Sequence, residues 1–434
     1  MTAIDLQWTK QFWKSVRPYV FLRETDQVLI LPPNQVFKLN PSALGLLKYL
    51  DGGGHFEGIP GWNQERARQV QEFFEQVKLA YEGQDPGAQP VPYSFDFTRL
   101  PVLGEIAVTY RCNNRCVFCY AGCGGASGCG LPPGWENKKE MTTAQIRKVI
   151  DVFHKQAQIP FFSFTGGEPL IRKDLEELMA YAVKKGLRIN LISNGTLVTP
   201  QRAASLYKAG LRTAQISLEG ATAQLHDELC GLKGAFERTL AGIRNLQEAG
   251  IRVQTNTTIT RPNHETLLEI LPLLAERGVT RFSMNLFIPT KASPLSQELF
   301  IPYSQIGPIV DRVAAKAKEM GLTFYWYSPT PLCHYNPMAR GMGNKSCAAC
   351  DGLVHVDPEG QVLPCSSYSQ SVGNILKQDF ESLWFGEKAQ FFKQKEFAPE
   401  ICKKCSRFTA CQGACPLYWE YAGTEELTRA GGAK

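Results

Sequence analysis

Between residues 104 and 327, short strand-like segments alternate with longer helical ones. The strand-like segments are rich in apolar and β-branched residues: Glu105–Thr109, Phe161–Thr165, Arg188–Ser193, Thr213–Leu218, Arg252–Thr260, Arg281–Ile288 and Thr323–Tyr327. Helical periodicity is clear in Thr142–Gln156, where the apolar residues share one face. Because parallel strands need crossover connections, this alternation predicts an α/β fold with a parallel sheet, either open or curled into a barrel. Functional groups of such folds lie at the C-terminal ends of the strands.

The fourteen cysteines fall into two groups. None precedes Cys112, five lie between Cys112 and Cys129, eight lie between Cys333 and Cys415, and Cys230 stands alone. The first twenty residues lack the apolar core of a signal peptide, and no apolar run is long enough to span a membrane. We therefore expect a cytoplasmic protein without a membrane partner, whose clustered cysteines bind metal or act in catalysis rather than form disulfides.

The charge of the chain argues against nucleic acid as a partner. Lys and Arg number 47 against 41 Asp and Glu, which gives a formal net charge of +6 over 434 residues, and no dense basic run is present. This mild excess is compatible with an acidic substrate but is not typical of a nucleic-acid-binding surface.

The first cysteine group directly follows the strand-like segment Glu105–Thr109. It reads Cys112-x3-Cys116-x2-Cys119, with an aromatic residue just before the third cysteine. An iron–sulfur cube usually takes four cysteines, so three leave one iron open for an external ligand. A zinc site with Cys123 as the fourth ligand is the alternative.

This motif, at the end of the first strand of a β/α series, resembles the signature of the radical S-adenosylmethionine (SAM) superfamily. The resemblance implies a partial (β/α)6 barrel and a [4Fe–4S] cluster whose open iron binds the amino and carboxylate groups of SAM. It also implies reductive cleavage of SAM to methionine and a 5′-deoxyadenosyl radical. Phe118 and Tyr120 flank the third cysteine, and the resemblance implies that this stretch contacts adenine.

Polar residues end the next three strand-like segments. Gly166-Gly167-Glu168-Pro169 resembles the GGEP motif of the same superfamily, which implies that Glu168 holds the SAM amino group. A carboxylate can accept hydrogen bonds from an ammonium group, and glycines permit close approach of the backbone. By the same resemblance, the following strand ends line the ribose and carboxylate of SAM: Ser193, Asn194, Ser217 and Glu219. Family members often carry Asp where this chain has Glu219, and ordinary strand capping is the alternative role for these ends.

The second cysteine group combines Cys350-x9-Gly360-x4-Cys365 with a C-x2-C-x5-C-x3-C run. This combination resembles the SPASM extension of radical SAM peptide and protein maturases, which implies one or two auxiliary iron–sulfur clusters. The candidate ligands are Cys333, Cys347, Cys350, Cys365, Cys402, Cys405, Cys411 and Cys415. Cys347 also fits the spacing to Gly360, so Cys347 and Cys350 compete for one position. A pair of zinc sites is the alternative.

The SPASM pattern usually ends with a further cysteine, whereas only residues 416–434 follow Cys415 in this chain. Cys333, Cys350 or a non-cysteine ligand therefore has to fill the last position. The three remaining cysteines lie outside both patterns. We expect Cys123 and Cys129 to be spare surface cysteines, with a thiol near the radical as the alternative, and Cys230 to be inert.

The N-terminal region forms a unit of its own in the sequence. Leu29 to Gly52, with a helix from about Asn63 to Tyr81, looks like the small winged-helix chaperone of pyrroloquinoline quinone biosynthesis. The resemblance implies peptide recognition, in which a leader peptide adds a strand to an exposed sheet edge. A DNA-binding winged helix and a structural cap are the alternatives. We expect this domain over residues 1–84, a linker over 85–103, the radical SAM barrel over 104–328 and the SPASM-like region over 329–434.

Together these resemblances imply a radical SAM enzyme that modifies a ribosomally synthesised peptide by a crosslink, thioether, epimerisation or oxidation. The implied partners are a peptide with a leader sequence and a reducing electron donor such as ferredoxin or flavodoxin. The alternative is a small-molecule enzyme, such as a side-chain decarboxylase of a haem precursor. A non-enzymatic iron–sulfur regulator is a third class. No general base is assigned, because the histidines have no diagnostic spacing.

Overall fold

The computed structural model describes residues 4–31, 35–82, 84, 87, 97–123 and 138–429. The chain forms two compact units, Met1–Val102 and Leu103–Lys434. The turn at residues 32–34, Cys129 and most of the expected linker lie outside the described residues. None of the described helices has the length and apolar character needed to cross a membrane.

The first unit combines a three-stranded antiparallel sheet with three helices. Its elements are α1 Gln7–Val16, β1 Phe21–Arg23, β2 Val28–Leu31, β3 Gln35–Lys38, α2 Pro41–Asp51 and α3 Gln64–Tyr81. Asn40 and Asn63 begin α2 and α3, because each side chain accepts a hydrogen bond from a backbone N–H three residues later. Trp13, Leu47 and Phe74 bring the three helices into one core.

The sheet of this unit has the order β1-β2-β3. All four residues of β2 are buried, whereas Gln35 and Lys38 of β3 are exposed and the two residues between them are half-buried. Among the described residues, no strand pairs with the outer edge of β3. An edge strand of this kind offers unpaired backbone groups to another chain.

The second unit begins with seven parallel strands. They are β4 Leu103–Thr109, β5 Phe161–Gly166, β6 Arg188–Ser193, β7 Thr213–Ser217, β8 Arg252–Ile259, β9 Arg281–Leu286 and β10 Thr323–Trp326. The helices that connect them are α4 Thr143–Lys155, α5 Leu175–Lys184, α6 Pro200–Lys208, α7 Ala223–Cys230, α8 Ala235–Glu248, α9 Leu267–Glu276 and α10 Tyr303–Glu319. Each strand pairs in parallel with its neighbours in chain order. The alternation in the sequence therefore predicted the sheet correctly.

The barrel is partial because β4 pairs with a strand from the C-terminal region instead of with β10. That region contains β11 Leu353–Val356, β12 Gln361–Leu363, β13 Gly373–Asn374, α11 Phe380–Trp384, α12 Glu387–Lys393, α13 Glu400–Lys403, α14 Phe408–Cys411, α15 Pro416–Ala422 and α16 Glu425–Arg429. β11 runs parallel to β4, and β12 returns antiparallel after a tight turn at Asp357–Gly360. The second cysteine group is thereby attached to the first strand of the barrel.

Alternate residues of the barrel strands face opposite sides of the sheet. Gly104 faces helix α4, since a Cβ there would meet Phe153 at 2.7 Å. Glu105 therefore faces the interior of the partial barrel. The interior positions of the other strands carry amides and hydroxyls joined by hydrogen bonds: Asn190 to Ser163, Gln254 to Ser283 and Tyr327, and Asn256 to Asn285. The interior of the barrel is thus polar.

Candidate functional site

Residues 110–123 form the three-cysteine loop at the C-terminal end of β4. The last turn of α7 holds this loop on both sides of Cys116: the Arg115 N–H donates to the carbonyl of Cys230 at 2.8 Å, and the Val117 N–H donates to that of Leu229 at 3.0 Å. Gly231 ends α7 with a φ of +61°, and a Cβ there would lie 2.3 Å from the Arg115 carbonyl oxygen. Only glycine fits this contact.

Backbone and side-chain groups surround the sulfur atoms of the loop. The Asn114 N–H donates to Sγ of Cys112, and the Cys123 N–H donates to Sγ of Cys119, both at 3.4 Å. A hydrogen bond from the Cys123 side chain lowers the pKa of Cys119 to about 6, although burial opposes this change. Thiolates are the ligands of iron–sulfur clusters, so this donor set fits such a cluster.

One loop cysteine differs from the sequence prediction. Cys123 is only 2% exposed and packs beside Tyr110 and Cys112, so its expected place on the surface was wrong. The neighbouring glycines in the sequence suggested exposure, but the turn from Cys119 to Gly122 places Cys123 against the start of the loop. Cys230, at the end of α7, is also buried.

The two glycines before Glu168 permit a close approach between backbones. A Cβ on Gly166 would lie 2.1 Å from the carbonyl oxygen of Thr109, and one on Gly167 would lie 2.4 Å from that of Arg111. The N–H groups of Gly167 and Glu168 donate to these two carbonyls at 2.8 Å. The glycines thus bring the end of β5 against the end of β4 and fix the start of the three-cysteine loop.

Glu168 is fully buried, and its carboxylate is held by three donors. These are the backbone N–H groups of Leu170 at 3.0 Å and Asn194 at 2.9 Å, and the hydroxyl of Ser193 at 2.9 and 3.0 Å. Burial raises the pKa of Glu168 to about 7, although these hydrogen bonds act to lower it. Because a carboxylate has about four acceptor positions, one further donor can be accommodated.

Asn194 connects the end of β6 to the three-cysteine loop. Its Nδ2 donates to Oδ1 of Asn113 at 2.9 Å and lies 4.0 Å from Sγ of Cys112. Its Oδ1 accepts from the Thr196 N–H at 2.9 Å. The structure therefore brings Cys112, Asn194 and Glu168 together at one edge of the sheet.

Glu219 links the ends of β7 and β8. Its carboxylate accepts the Thr258 N–H at 2.8 Å, and its own N–H donates to Nδ1 of His226 at 3.1 Å. Burial raises the pKa of Glu219 to about 7. Ser217 is the last residue of β7 and pairs with Asn256 of β8. Both predicted residues lie at the same edge of the sheet as Glu168.

The two aromatic residues that flank Cys119, Phe118 and Tyr120, are half-buried. Tyr120 interacts with Thr165 of β5, and its burial, followed by the charge of Glu105, raises its pKa. Tyr120 therefore lies over the interior of the barrel.

The eight C-terminal cysteines separate into two sets of four. The inner cysteine set consists of Cys347, Cys350, Cys365 and Cys415. Burial raises the pKa of Cys350, Cys365 and Cys415, and the charges of neighbouring cysteines of the same set raise these pKa values further. The outer cysteine set, which lines one small cavity, consists of Cys333, Cys402, Cys405 and Cys411. Cys347 and Cys350 therefore do not compete, and Cys333 completes the outer cysteine set.

A buried lysine lies under the inner cysteine set. Lys395 has no exposed surface, and its Nζ donates to the carbonyl of Cys347 at 2.7 Å and to Asp351 at 3.1 Å. Lys393 lies 3.6 Å from the same carboxylate.

In the part of the chain that the structure describes, no group of three or more His, Cys, Asp or Glu side chains is placed to bind a single metal ion.

Sequence reasoning missed a pair inside the barrel, Glu105 and His355. Nδ1 of the fully buried His355 lies 2.9 Å from the Glu105 carboxylate, and the two residues are opposite each other in β11 and β4. The charge of Glu105 contributes to the raised pKa of both Tyr120 and Cys365. Glu105 thus lies between the three-cysteine loop and the inner cysteine set. The only sequence signal was a charged residue at an alternate position of an otherwise apolar strand.

Two family models match the chain. The model of the radical SAM superfamily matches residues 106–275, and that of the SPASM iron–sulfur cluster-binding domain matches residues 347–406.

Curated relatives include an AdoMet-dependent heme synthase of Methanosarcina barkeri, which is 31% identical over 329 residues, or 71% of this chain and 88% of the relative. The mycofactocin maturase MftC of Mycolicibacterium smegmatis is 28% identical over 340 residues, which are 75% of this chain and 82% of the relative.

Solved structures with the same fold include Streptococcus suis SuiB bound to its precursor peptide SuiA. It has a TM-score of 0.65 and 16% identity, and the match covers 92% of this chain and 94% of SuiB. The native protein anSMEcpe with bound AdoMet has a TM-score of 0.57 and 18% identity, and the match covers 76% of this chain and 99% of that protein.

Proposed function

Because this chain belongs to the radical SAM superfamily and is an enzyme with a SPASM iron–sulfur domain, we propose that it modifies a ribosomally synthesised peptide. Its cofactors are SAM and [4Fe–4S] clusters. When bound, SAM and its cluster supply a 5′-deoxyadenosyl radical by one-electron cleavage of SAM, which also releases methionine. The proposed product is a peptide with a crosslink, a thioether, an epimerised residue or an oxidised residue.

Cys112, Cys116 and Cys119 are the proposed ligands of the SAM-binding cluster. The support is their common loop at the C-terminal end of β4 and the N–H donors to two of their sulfurs. Glu168 is proposed to bind the SAM ammonium, since its carboxylate has room for one further donor.

The remaining proposed SAM contacts surround this carboxylate. The proposed ribose and carboxylate contacts are Ser193, Asn194, Ser217 and Glu219, which lie at the ends of β6 and β7. Gly166 and Gly167 shape the site, and Phe118 and Tyr120 are the proposed adenine contacts. The inner and outer cysteine sets are the proposed ligands of two auxiliary clusters, because each has the four thiols that such a cluster takes.

A single observation supports the peptide substrate: among the described residues, no strand pairs with the outer edge of β3. Main-chain hydrogen bonds to an extended peptide require such an edge, and the alternating side chains of β3 can select its sequence. The polar barrel interior supports the same substrate, since its amides and hydroxyls match the N–H and C=O groups of a peptide backbone. The name of MftC as a maturase and the SuiB complex with a precursor peptide agree with this proposal.

The second candidate is a small-molecule reaction on a haem precursor. It is favoured by the 31% identity to an AdoMet-dependent heme synthase. The polar interior argues against it, because the carboxylates of such a precursor are matched best by Lys or Arg. Ser163, Asn190, Gln254 and Asn256 are themselves neutral, and the charged interior residue paired with Ser163, Glu105, is acidic.

The outer cysteine set is the proposed entry point for the electron. Cys333 is exposed, and three exposed basic residues lie near the set: Lys403, Lys404 and Arg407. Ferredoxin and flavodoxin are small acidic donors that such a surface attracts. We also propose a cytoplasmic location for the protein, because thiols stay reduced there.

The test is binding of the full chain to short peptides encoded beside its gene, followed anaerobically by fluorescence anisotropy. Selective binding of one peptide is expected. The matched variant lacks residues 1–84 and should cleave SAM without peptide at the normal rate but fail to modify the leader-bearing peptide. Unchanged peptide turnover in this variant would refute the recognition role, and turnover of a haem precursor would establish the second candidate.

A further inference from the structure

Strand register places Glu105 on the interior face of the partial barrel. It lies opposite Ser163 of β5 and opposite His355 of β11, whose side chains face the same side of the sheet. The side chain of Glu105 is 22% exposed, and the three-cysteine loop follows the same strand. A substrate inside the barrel therefore lies within reach of this carboxylate.

The Glu105 carboxylate has a single partner in the described part of the chain. Nδ1 of His355 donates to its Oε2 atom at 2.9 Å. Among the described residues, no other hydrogen bond and no ion pair with Lys or Arg reaches either carboxylate oxygen. Because a carboxylate has about four acceptor positions, Oε1 is available to a ligand.

His355 fixes this carboxylate in place without neutralising it. The imidazole is fully buried, and its Nε2 atom has no hydrogen-bond partner among the described residues. An imidazolium would place a second N–H at this buried position without an acceptor, which is unfavourable. The neutral imidazole with its proton on Nδ1 therefore fits the site better, and Glu105 keeps its negative charge.

In the part of the chain that the structure describes, no Lys or Arg is close enough to balance this charge. The interior neighbours Ser163 and Asn190 are neutral, and a hydrogen bond at 3.2 Å joins them to each other. Outside the described residues the sequence has only one Lys or Arg, Lys434. The counter-charge of Glu105 therefore has to come from a bound molecule or from solvent.

We propose that Glu105 is a specificity-determining residue that binds a cationic side chain, Lys or Arg, of the peptide segment inside the barrel, and that His355 is its positioning residue. This inference rests on the proposed peptide substrate. A substrate that displaces water from Glu105 has to replace that solvation, because an unpaired carboxylate is costly to bury. A backbone N–H fills one acceptor position, whereas an ammonium or guanidinium group also balances the charge.

The experiment measures kcat/KM of the reconstituted full chain by mass spectrometry of the modified peptide. The probes are the leader-bearing peptide and synthetic forms in which each Lys or Arg of the modified segment is replaced in turn by norleucine. At one position, norleucine should lower kcat/KM of the wild type by about 10- to 100-fold. Glu105→Gln, which keeps an acceptor for His355, should respond much less to the same replacement. Glu248→Gln, whose side chain is 66% exposed on α8, is the matched control and should respond like the wild type.

A second measurement uses the wild type alone, so that it does not depend on the folding of a variant. A Glu in place of the critical Lys or Arg should lower kcat/KM further than norleucine, because it repels Glu105. The inference is refuted if the Glu and norleucine peptides are modified equally fast, or if every replacement affects the wild type and Glu105→Gln alike. It is also refuted if the modified segment contains no Lys or Arg, and in all three cases the peptide substrate stands. If the wild type modifies no peptide, the proposed function fails and this inference fails with it.

Discussion

Nδ2 of Asn194 lies 4.0 Å from Sγ of Cys112, although the two residues are 82 positions apart in the chain. Asn194 follows β6 and Cys112 follows β4, so the parallel sheet brings both residues to the same edge. Glu168, which follows the intervening strand β5, accepts the Asn194 N–H, so the proposed SAM site depends on this arrangement.

Replacing the three loop cysteines should remove the SAM-binding cluster and leave the auxiliary clusters in place. In the variant Cys112→Ala, Cys116→Ala, Cys119→Ala, cleavage of SAM should fall to background, while iron remains in the C-terminal region. The measurement is chromatography of 5′-deoxyadenosine together with iron analysis of the same sample. Continued formation of 5′-deoxyadenosine would show that these cysteines are not the ligands.

Binding of SAM should depend on pH through Glu168. The pKa of this buried carboxyl is raised to about 7, so it is protonated below that value and attracts an ammonium group less. Affinity for SAM should therefore weaken as the pH falls below 7, by up to about tenfold per pH unit. Equilibrium dialysis between pH 5.5 and 8 measures this change.

Glu168→Gln is the control for that dependence, because the amide does not titrate. It should bind SAM weakly at every pH, and a wild-type profile in this variant would assign the dependence to another group. Glu219 also has a pKa raised to about 7, so Glu219→Gln is measured beside it.

Single serine substitutions should remove one auxiliary cluster each. Cys333→Ser affects the outer cysteine set and Cys350→Ser the inner one, so each variant should lose about four iron atoms per chain. Iron analysis and EPR of the two variants should show the loss of different signals. Loss of the same signal in both would contradict the division into two sets.

The buried cation under the inner cysteine set should be important for stability. Lys395→Met removes a donor to the Cys347 carbonyl and one of two cations near Asp351. The free energy of unfolding should therefore fall by about 3–5 kcal/mol. Thermal unfolding under argon measures the effect. Lys316→Met, which breaks an exposed pair with Glu319, is the control and should leave the melting temperature unchanged.

Much of the fold could be predicted because its signals are local. The alternation of strands and helices predicted the seven parallel strands of the barrel within a few residues. The helix over Thr142–Gln156 was recognisable because its apolar residues share one face. The motif Cys112-x3-Cys116-x2-Cys119 is equally local. Each of these patterns depends on neighbours in the chain, which the sequence displays directly.

Other features depended on residues that are far apart in the chain. The sequence placed Cys347 and Cys350 in competition, whereas the fold assigns both to the inner cysteine set and brings Cys333 to the outer one. Cys123 was expected on the surface because glycines surround it, but packing against Tyr110 buries it. Spacing along the chain does not specify such contacts.

The sequence by itself determined the parallel α/β architecture, the three-cysteine motif and the number of cysteines available for further clusters. Only the tertiary structure decided which thiols meet, that Glu105 faces His355 across β4 and β11, and that the Cys230 carbonyl accepts the Arg115 N–H beside Cys116. The physical reason is that these contacts follow from strand register and helix packing. Both are settled by burial over the whole unit rather than by any short segment.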